Sequence, residues 1–179
     1  MGVDTLPAVG LPLREFWAAV RDLKPVAFIQ HWRDPFLIEL GGGSPAGLYS
    51  TGKEPTIRPA TGPAPDPAED RRRVLTVVKR RPGEKHKIAV GRAADNDVVL
   101  LSVDVSKLHA GFGLVQGGWR VADLGSTYGT TLDGRPLPPM VPVPIHGGQE
   151  LGIGSMRHLF VMPDGFLDTA RGILEAGRI

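Results

Sequence analysis

The 179-residue sequence contains no cysteine, which excludes a disulfide framework, a thiolate metal centre and a cysteine nucleophile, and suits a reducing compartment. Long apolar runs are also missing. Unbroken apolar stretches are as short as Val26 to Ile29, far below the roughly 20 residues that span a bilayer. The N-terminal region shows no basic start leading into an apolar run, so a cytoplasmic protein with no membrane partner is expected. Neither sign of charge is in large excess: 21 Lys and Arg face 19 Asp and Glu, a net charge of +2. That total is too small to argue for nucleic acid, and the distribution has to decide.

What the chain has in quantity is glycine, 24 residues, and proline, 17, a content approaching that of disordered chains. A hydrophobic content of 41% with so small a net charge still supplies one core of ordinary size. The length suits a domain of roughly 100 to 150 residues with an appendage. Glycine and proline take 12 of the positions from Gly41 to Asp70, a stretch that cannot sustain helical hydrogen bonds or bury a face. Residues 41–73 are therefore expected to be a flexible linker between an N-terminal segment, 1–40, and a main domain, 74–163.

In the first segment Leu13, Phe16, Trp17, Val20 and Leu23 recur at helical spacing. Pro25 suits the first turn of a second helix carrying Phe28 and Trp32, and Pro35 to Leu40 reads as a strand. Two helices and a strand are too few for a core of their own, so the segment is expected to dock on the main domain or on a partner. After the linker come short β-type runs: Val74 to Lys79, Lys87 to Arg92, Asp97 to Leu100, His109 to Gln116, Trp119 to Leu124, Thr130 to Leu132, Gln149 to Ile153 and Leu159 to Met162. Asp133-Gly134 is a hairpin-turn signal. Phe166, Leu167, Ala170, Ile173 and Leu174 then form one stripe of a closing helix, 164–179, with Asp164 as its N-cap. The expected class is all-β, a sandwich or barrel of mostly antiparallel strands with helices at both ends.

Two motifs fail on context. Gly47 to Lys53 has the spacing of a phosphate-binding loop, but Glu54 stands where a hydroxyl should hold magnesium and Pro55 discourages the following helix. Ser106, His109 and Asp123 supply the residue types of a catalytic triad, yet no Gly-x-Ser-x-Gly elbow surrounds the serine. No catalytic residue, metal site or cofactor is expected.

The informative blocks are Gly91-Arg92, Asn96-Asp97, Val105 to Ala110, Asp123 to Thr130 and Asp133-Gly134, closed by Gly147 to Gly152 and Leu159 to Val161. Arg92 offers a planar bidentate donor, Lys107 a second charge, and Ser106 and Thr127 two hydroxyls, a set suited to a phosphate dianion. This order and spacing resembles the forkhead-associated (FHA) domain over about residues 74–163, and a bacterial member is expected. The resemblance implies an FHA-like β-sandwich that binds phosphothreonine peptides through loops at one end. It also implies that Arg92 and Ser106 contact the phosphate, with Lys107 and Thr127 in support at the rim. By the same resemblance His109 is structural, its ring fixing the loop that presents Ser106. Gly91, Asn96, Gly125 and Gly129 are expected to serve turn geometry. One position departs from the family pattern. Tyr128 stands where an asparagine is usual, replacing a paired amide donor and acceptor by one hydroxyl and a ring that stacks on the peptide or closes the site.

The expected function is thus a non-enzymatic phosphothreonine-peptide-binding signalling adaptor acting downstream of a Ser/Thr kinase. Phosphorylation adds nearly two negative charges and three acceptor oxygens for a cationic pocket to read. The alternative is a degenerate FHA scaffold that binds a partner protein without reading phosphate, motivated by Tyr128. Nucleic-acid binding rests on Arg71 to Arg81 alone, a basic run without interleaved aromatics that reads as a solvated charge cluster. Thr51, Thr56 and Thr61 of the linker are tethered near the pocket and, once phosphorylated, are expected to be able to occupy it in cis.

Overall fold

The computed structural model describes residues 6–40, 72–81 and 87–176. Two short helices open the chain after a two-residue strand: β1 (Leu11–Pro12), α1 (Leu13–Val20) and α2 (Pro25–His31). Pro25 sits in the first turn of α2, where its missing N–H costs nothing. Helix α1 stops at Val20, so Leu23, read as part of its apolar stripe, lies beyond it and is exposed. The strands β2 (Phe36–Glu39), β3 (Arg73–Thr76), β4 (Lys87–Gly91), β5 (Val98–Val99), β6 (Ala110–Val115) and β7 (Gly118–Asp123) follow. After them come β8 (Thr130–Leu132), β9 (Arg135–Pro136), β10 (Val143–Pro144), β11 (Glu150–Ile153) and β12 (Met156–Val161), and α3 (Pro163–Ala176) closes the chain. Helix α3 begins at Pro163, which places Asp164 inside its first turn rather than before it.

The strands form two sheets, one of seven in the order β1-β3-β2-β12-β11-β8-β9 and one of five in the order β10-β7-β6-β4-β5. Among the named strands only β4 and β5 pair in parallel. The fold is therefore the all-β sandwich expected, with three helices added. Asp133 and Gly134 form the two-residue turn between β8 and β9, both at positive φ, 49° and 76°, as a hairpin of this length requires.

Strand β2 explains how the helices attach. Successive side chains of a strand face opposite ways. Leu37 accordingly joins Val90, Phe112, Val121, Leu151 and Phe160 between the two sheets, while Phe36 and Ile38 face the helices. On that outer face Phe16, Phe28, Trp32, Phe36 and Phe166 pack into one aromatic cluster. Phe36 and Phe166 lie 4.4 Å apart between ring centroids, and Phe28 stacks on Phe166 at 5.3 Å. The result is three layers: sheet, sheet and helices.

Strand β2 sets residues of the N-terminal segment within the larger sheet. Ile38 is in register with Val74 and Phe36 with Thr76, so β2 and β3 are antiparallel neighbours in one sheet. Residues 41–71 connect these two adjacent strands, and Arg73, placed in the linker from sequence, belongs to β3. Thr51, Thr56, Thr61, Arg71 and the stretch from Gly47 to Lys53 lie outside the described residues. The basic run is not a solvated cluster either. Arg72 donates to the Ile173 carbonyl at 3.0 Å, and Arg73 donates to the carbonyls of Val9 and Gly10 at 2.8 and 2.7 Å. Lys79 pairs with buried Asp97 at 2.9 Å, and Arg80 donates to the Thr76 hydroxyl at 2.6 Å. Arg72 and Arg73 tie α3 and the N-terminal segment to the larger sheet, while Lys79 and Arg80 bond within the sandwich.

Candidate functional site

Three loops meet at one end of the sandwich: 92–97 after β4, 100–109 before β6, and 124–129 after β7. Buried carboxylates organise two of them. Asp97 is fully buried and accepts from the backbone N–H groups of Ala89, Arg80 and Arg81 and from Lys79. Burial works to raise its pKa, but these donors outweigh it and hold the carboxyl below the usual range. Asp123 does the same for the third loop, accepting from the N–H groups of Gly125 and Ser126 and from the hydroxyls of Ser126 and Thr130. Here too the hydrogen bonds overcome burial and lower the pKa.

Gly91 has a different role from the turn expected of it. It ends strand β4 without a positive φ, and a Cβ there would overlap the Lys107 carbonyl oxygen. Only glycine lets β4 approach this closely, and the approach allows Arg92 N–H to bond the Ser106 carbonyl at 2.9 Å and Ala93 N–H the Lys107 carbonyl at 3.1 Å. Asn96 completes the clamp by donating to the carbonyls of Ala93 and Lys107, at 2.9 and 2.6 Å. Gly125 and Gly129 both take positive φ, 75° and 78°, as loop turns.

His109 is completely buried and bridges two loops. Its Nδ1 accepts the Ser106 backbone N–H at 3.0 Å, which leaves Nε2 to donate to the Gly129 carbonyl at 3.0 Å. Burial lowers its pKa, opposed by the Gly129 bond and the Asp123 charge, so the ring is neutral as this bonding demands. Both nitrogens and both Asp123 oxygens are thus engaged in holding loops. The residue types of a triad are present, but neither His109 nitrogen bonds the Ser106 hydroxyl.

Over this scaffold Arg92, Ser106, Lys107, Thr127 and Tyr128 line one groove of about 390 Å³, together with Val103, Asp104, Val105 and Leu108. Every binding residue expected from sequence is therefore in one place. The Ser106 hydroxyl accepts the Thr127 N–H at 3.1 Å and lies 3.4 Å from the Thr127 hydroxyl, so the second and third loops are joined at the groove itself. Arg92 Nε donates to the Val105 carbonyl at 3.2 Å, which fixes the guanidinium without using its terminal nitrogens. Sequence reasoning did not assign Val103, Asp104, Val105 and Leu108 to the groove, since they carry no periodic signal. It also missed the roles of Asp97, Ser126 and Thr130. Asp123 followed by Ser126 has the spacing of a side chain capping its own turn, a signal that could have been read.

The sequence profile of the FHA domain matches residues 88–154. The glycogen accumulation regulator GarA of Mycobacterium tuberculosis is 31% identical over 137 residues, covering 73% of this chain and 76% of that protein. The oxoglutarate dehydrogenase inhibitor of Corynebacterium glutamicum is 32% identical over 118 residues, covering 61% of this chain and 80% of that protein. The protein named GarA in Mycolicibacterium smegmatis is 35% identical over 94 residues, and the match spans 49% of this chain and 58% of that protein. The chain belongs to the FHA domain family, in a bacterial branch whose similar members carry the names of regulators.

Proposed function

We propose that the protein is a phosphothreonine-reading regulatory module, acting by binding and not by catalysis, downstream of a Ser/Thr kinase. The observation that carries this reading is the convergence of Arg92, Ser106, Lys107 and Thr127 on one groove. Two cations and two hydroxyls can meet a phosphate dianion with charge-assisted hydrogen bonds, and the unmodified threonine offers them only one weakly polar hydroxyl. The groove's one carboxylate, Asp104, suits a cationic residue elsewhere in the ligand.

Titrating the protein with phosphothreonine peptides and their dephosphorylated forms tests the reading. Binding should require the phosphate, and Arg92→Ala should weaken it by about thirtyfold or more, the effect of losing roughly 2 kcal/mol from a charged contact. Binding that ignores the phosphate and the Arg92 change would replace this reading by the scaffold alternative, which the exposed Tyr128 ring at the groove favours.

The connection 41–71 leaves and re-enters the sandwich at the same end as this groove. Leu40 N–H bonds the Arg157 carbonyl beside the β11–β12 turn, and Gly154 of that turn bonds the Gly129 carbonyl. That placement supports an intramolecular ligand at Thr51, Thr56 or Thr61. Protein phosphorylated there should compete with added phosphopeptide, and unmodified protein should not.

A further inference from the structure

Few of its own side chains hold helix α2 to the fold. Of its seven residues only Phe28 is buried, and Trp32 is buried just after it. The outer face is apolar and open to water: Val26 is 66% exposed, Ile29 one turn further on 41%, and Leu23, three residues before Val26, 40%. A helix this short is marginal without cover. Apolar area gathered in one place marks a contact surface more often than scattered exposure does.

The stripe runs into a cleft of about 550 Å³ between the end of α2 and the start of α3. Ile29, Trp32, Met162 and Pro163 form its apolar lining, and Arg33 and Asp164 supply its charges. Both charged residues are exposed, and neither has an ion-pair partner among the described residues. They line one cleft without pairing with each other, so a cation and an anion are held apart across it. A simple ion of either sign would meet one repulsive charge there. The occupant that fits is an apolar side chain flanked by an acid and a base.

The other end of the same face has that chemistry. Asp22, Leu23 and Lys24 follow one another in the turn between α1 and α2. Asp22 has a side chain 93% exposed and only a long contact with Arg21, 3.7 Å, and Lys24 has no ion-pair partner among the described residues. Two α2 helices laid antiparallel bring each turn against the other's cleft, the self-complementary contact that a two-fold axis requires.

We propose that this face binds a second copy of the chain about a two-fold axis. Val26 packs at the centre, the turn from Asp22 to Lys24 enters the facing cleft, and Lys24 pairs with the partner's Asp164. The contact leaves the groove around Arg92 open in both copies. Gly154, in the turn before β12, bonds the Gly129 carbonyl at the groove end, and the six residues of β12 then carry the chain roughly 20 Å away to the cleft at Met162. Dimerisation therefore does not depend on what the groove binds, and it sets two grooves in one particle.

Sedimentation equilibrium of the full chain between about 5 and about 500 µM, with no ligand present, tests the proposal. The weight-average mass should rise with concentration from 19.2 kDa towards twice that value and no further. Val26→Glu should raise the dissociation constant about tenfold or more, because it removes apolar burial from both copies at once. Val26 is exposed in the single chain, so this change should leave the melting temperature in place. Lys24→Glu and Asp164→Lys should each weaken the dimer about threefold or more, and the double variant K24E/D164K should recover to within about threefold of wild type. A mass of 19.2 kDa at every concentration overturns the proposal and leaves the face to a different protein. A dimer that survives Val26→Glu overturns the choice of face. Single charge changes without effect, or a loss that the double variant does not recover, overturn the antiparallel pairing. A mass that grows past the dimer overturns the two-fold axis.

Discussion

At the scale of single residues, two buried histidines set how this protein responds to acid. His109 must be neutral, because a proton on Nδ1 would set two N–H groups against each other where Ser106 now donates. His158 is fully buried in β12 and neither ring nitrogen has a hydrogen-bond partner among the described residues. Burial pushes its pKa down to about 4, and the Leu151 backbone, near enough to oppose the shift, falls short of a hydrogen bond. A lowered folded-state pKa means that the unfolded chain takes up the proton first. The stability tied to His158 is therefore whole above about pH 6.5, falls as pH drops below it, and is lost towards pH 4. At about pH 5 the loss is about 2 kcal/mol. Asp97 and Asp123 titrate below the usual carboxylate range and do not contribute at that pH. Glu39, opposite His158 in the strand register, has a raised pKa from burial and works in the other direction. Comparing wild type with His158→Leu in urea unfolding at about pH 7.5 and about pH 5 isolates the histidine, because every other group is common to both. The wild type should lose about 2 kcal/mol more than the variant. Equal losses would show that His158 is not the group responsible.

At the scale of elements, the aromatic cluster joins the two ends of the described chain. Phe166 of α3 touches Phe16 of α1, Phe28 of α2 and Phe36 of β2, with centroids between 4.4 and 5.4 Å. Phe166→Ala should cost about 3 to 5 kcal/mol, since the cavity opens among rings fixed by three different elements. It should also lower the denaturation midpoint of the whole chain in one transition, because β2 belongs to both the helical layer and the sandwich. A separate early transition of the helices would contradict that coupling. Much of this was legible beforehand. The helical spacing of Phe16 and Val20, the proline at the start of α2 and the alternation in the late strands all describe local preferences that the packing respects. The groove residues were legible through the blocks that resemble the FHA domain, and the backbone bonds among their loops now hold Arg92, Ser106, His109 and Thr127 together. The partner of β2 was not legible. Phe36 to Ile38 reads as a buried strand, but its neighbours β3 and β12 are chosen by long-range pairing that leaves no trace in local composition. The basic run misled for the same reason, since the carbonyls that Arg72 and Arg73 bond come from distant segments.

At the scale of the molecule, the order β3-β2-β12 makes strand β2 of the N-terminal segment an interior strand of the larger sheet. Removing residues 1–40 would take an interior strand out of the larger sheet. It would expose the facing edges of β3 and β12, and strip the cover from Val74, Val161 and Phe166, all of which pack in the helical layer. The truncated chain should be insoluble or lack a cooperative melt. The connection 41–71 should behave in the opposite way. Ile38 and Val74 are paired, so Leu40 and Arg72 follow as the next positions at one end of neighbouring antiparallel strands, a gap that a tight turn can close. Replacing residues 41–70 by a link of about four residues shortens the loop severalfold, which should preserve folding and add on the order of 1 kcal/mol of stability through lower closure entropy. Circular dichroism and thermal melts of the two variants read both outcomes together. If the shortened chain failed to fold while the chain lacking residues 1–40 remained cooperative, the strand order β3-β2-β12 would be wrong. Two neighbouring strands tolerate a short connection, but a sheet does not tolerate the loss of an interior strand.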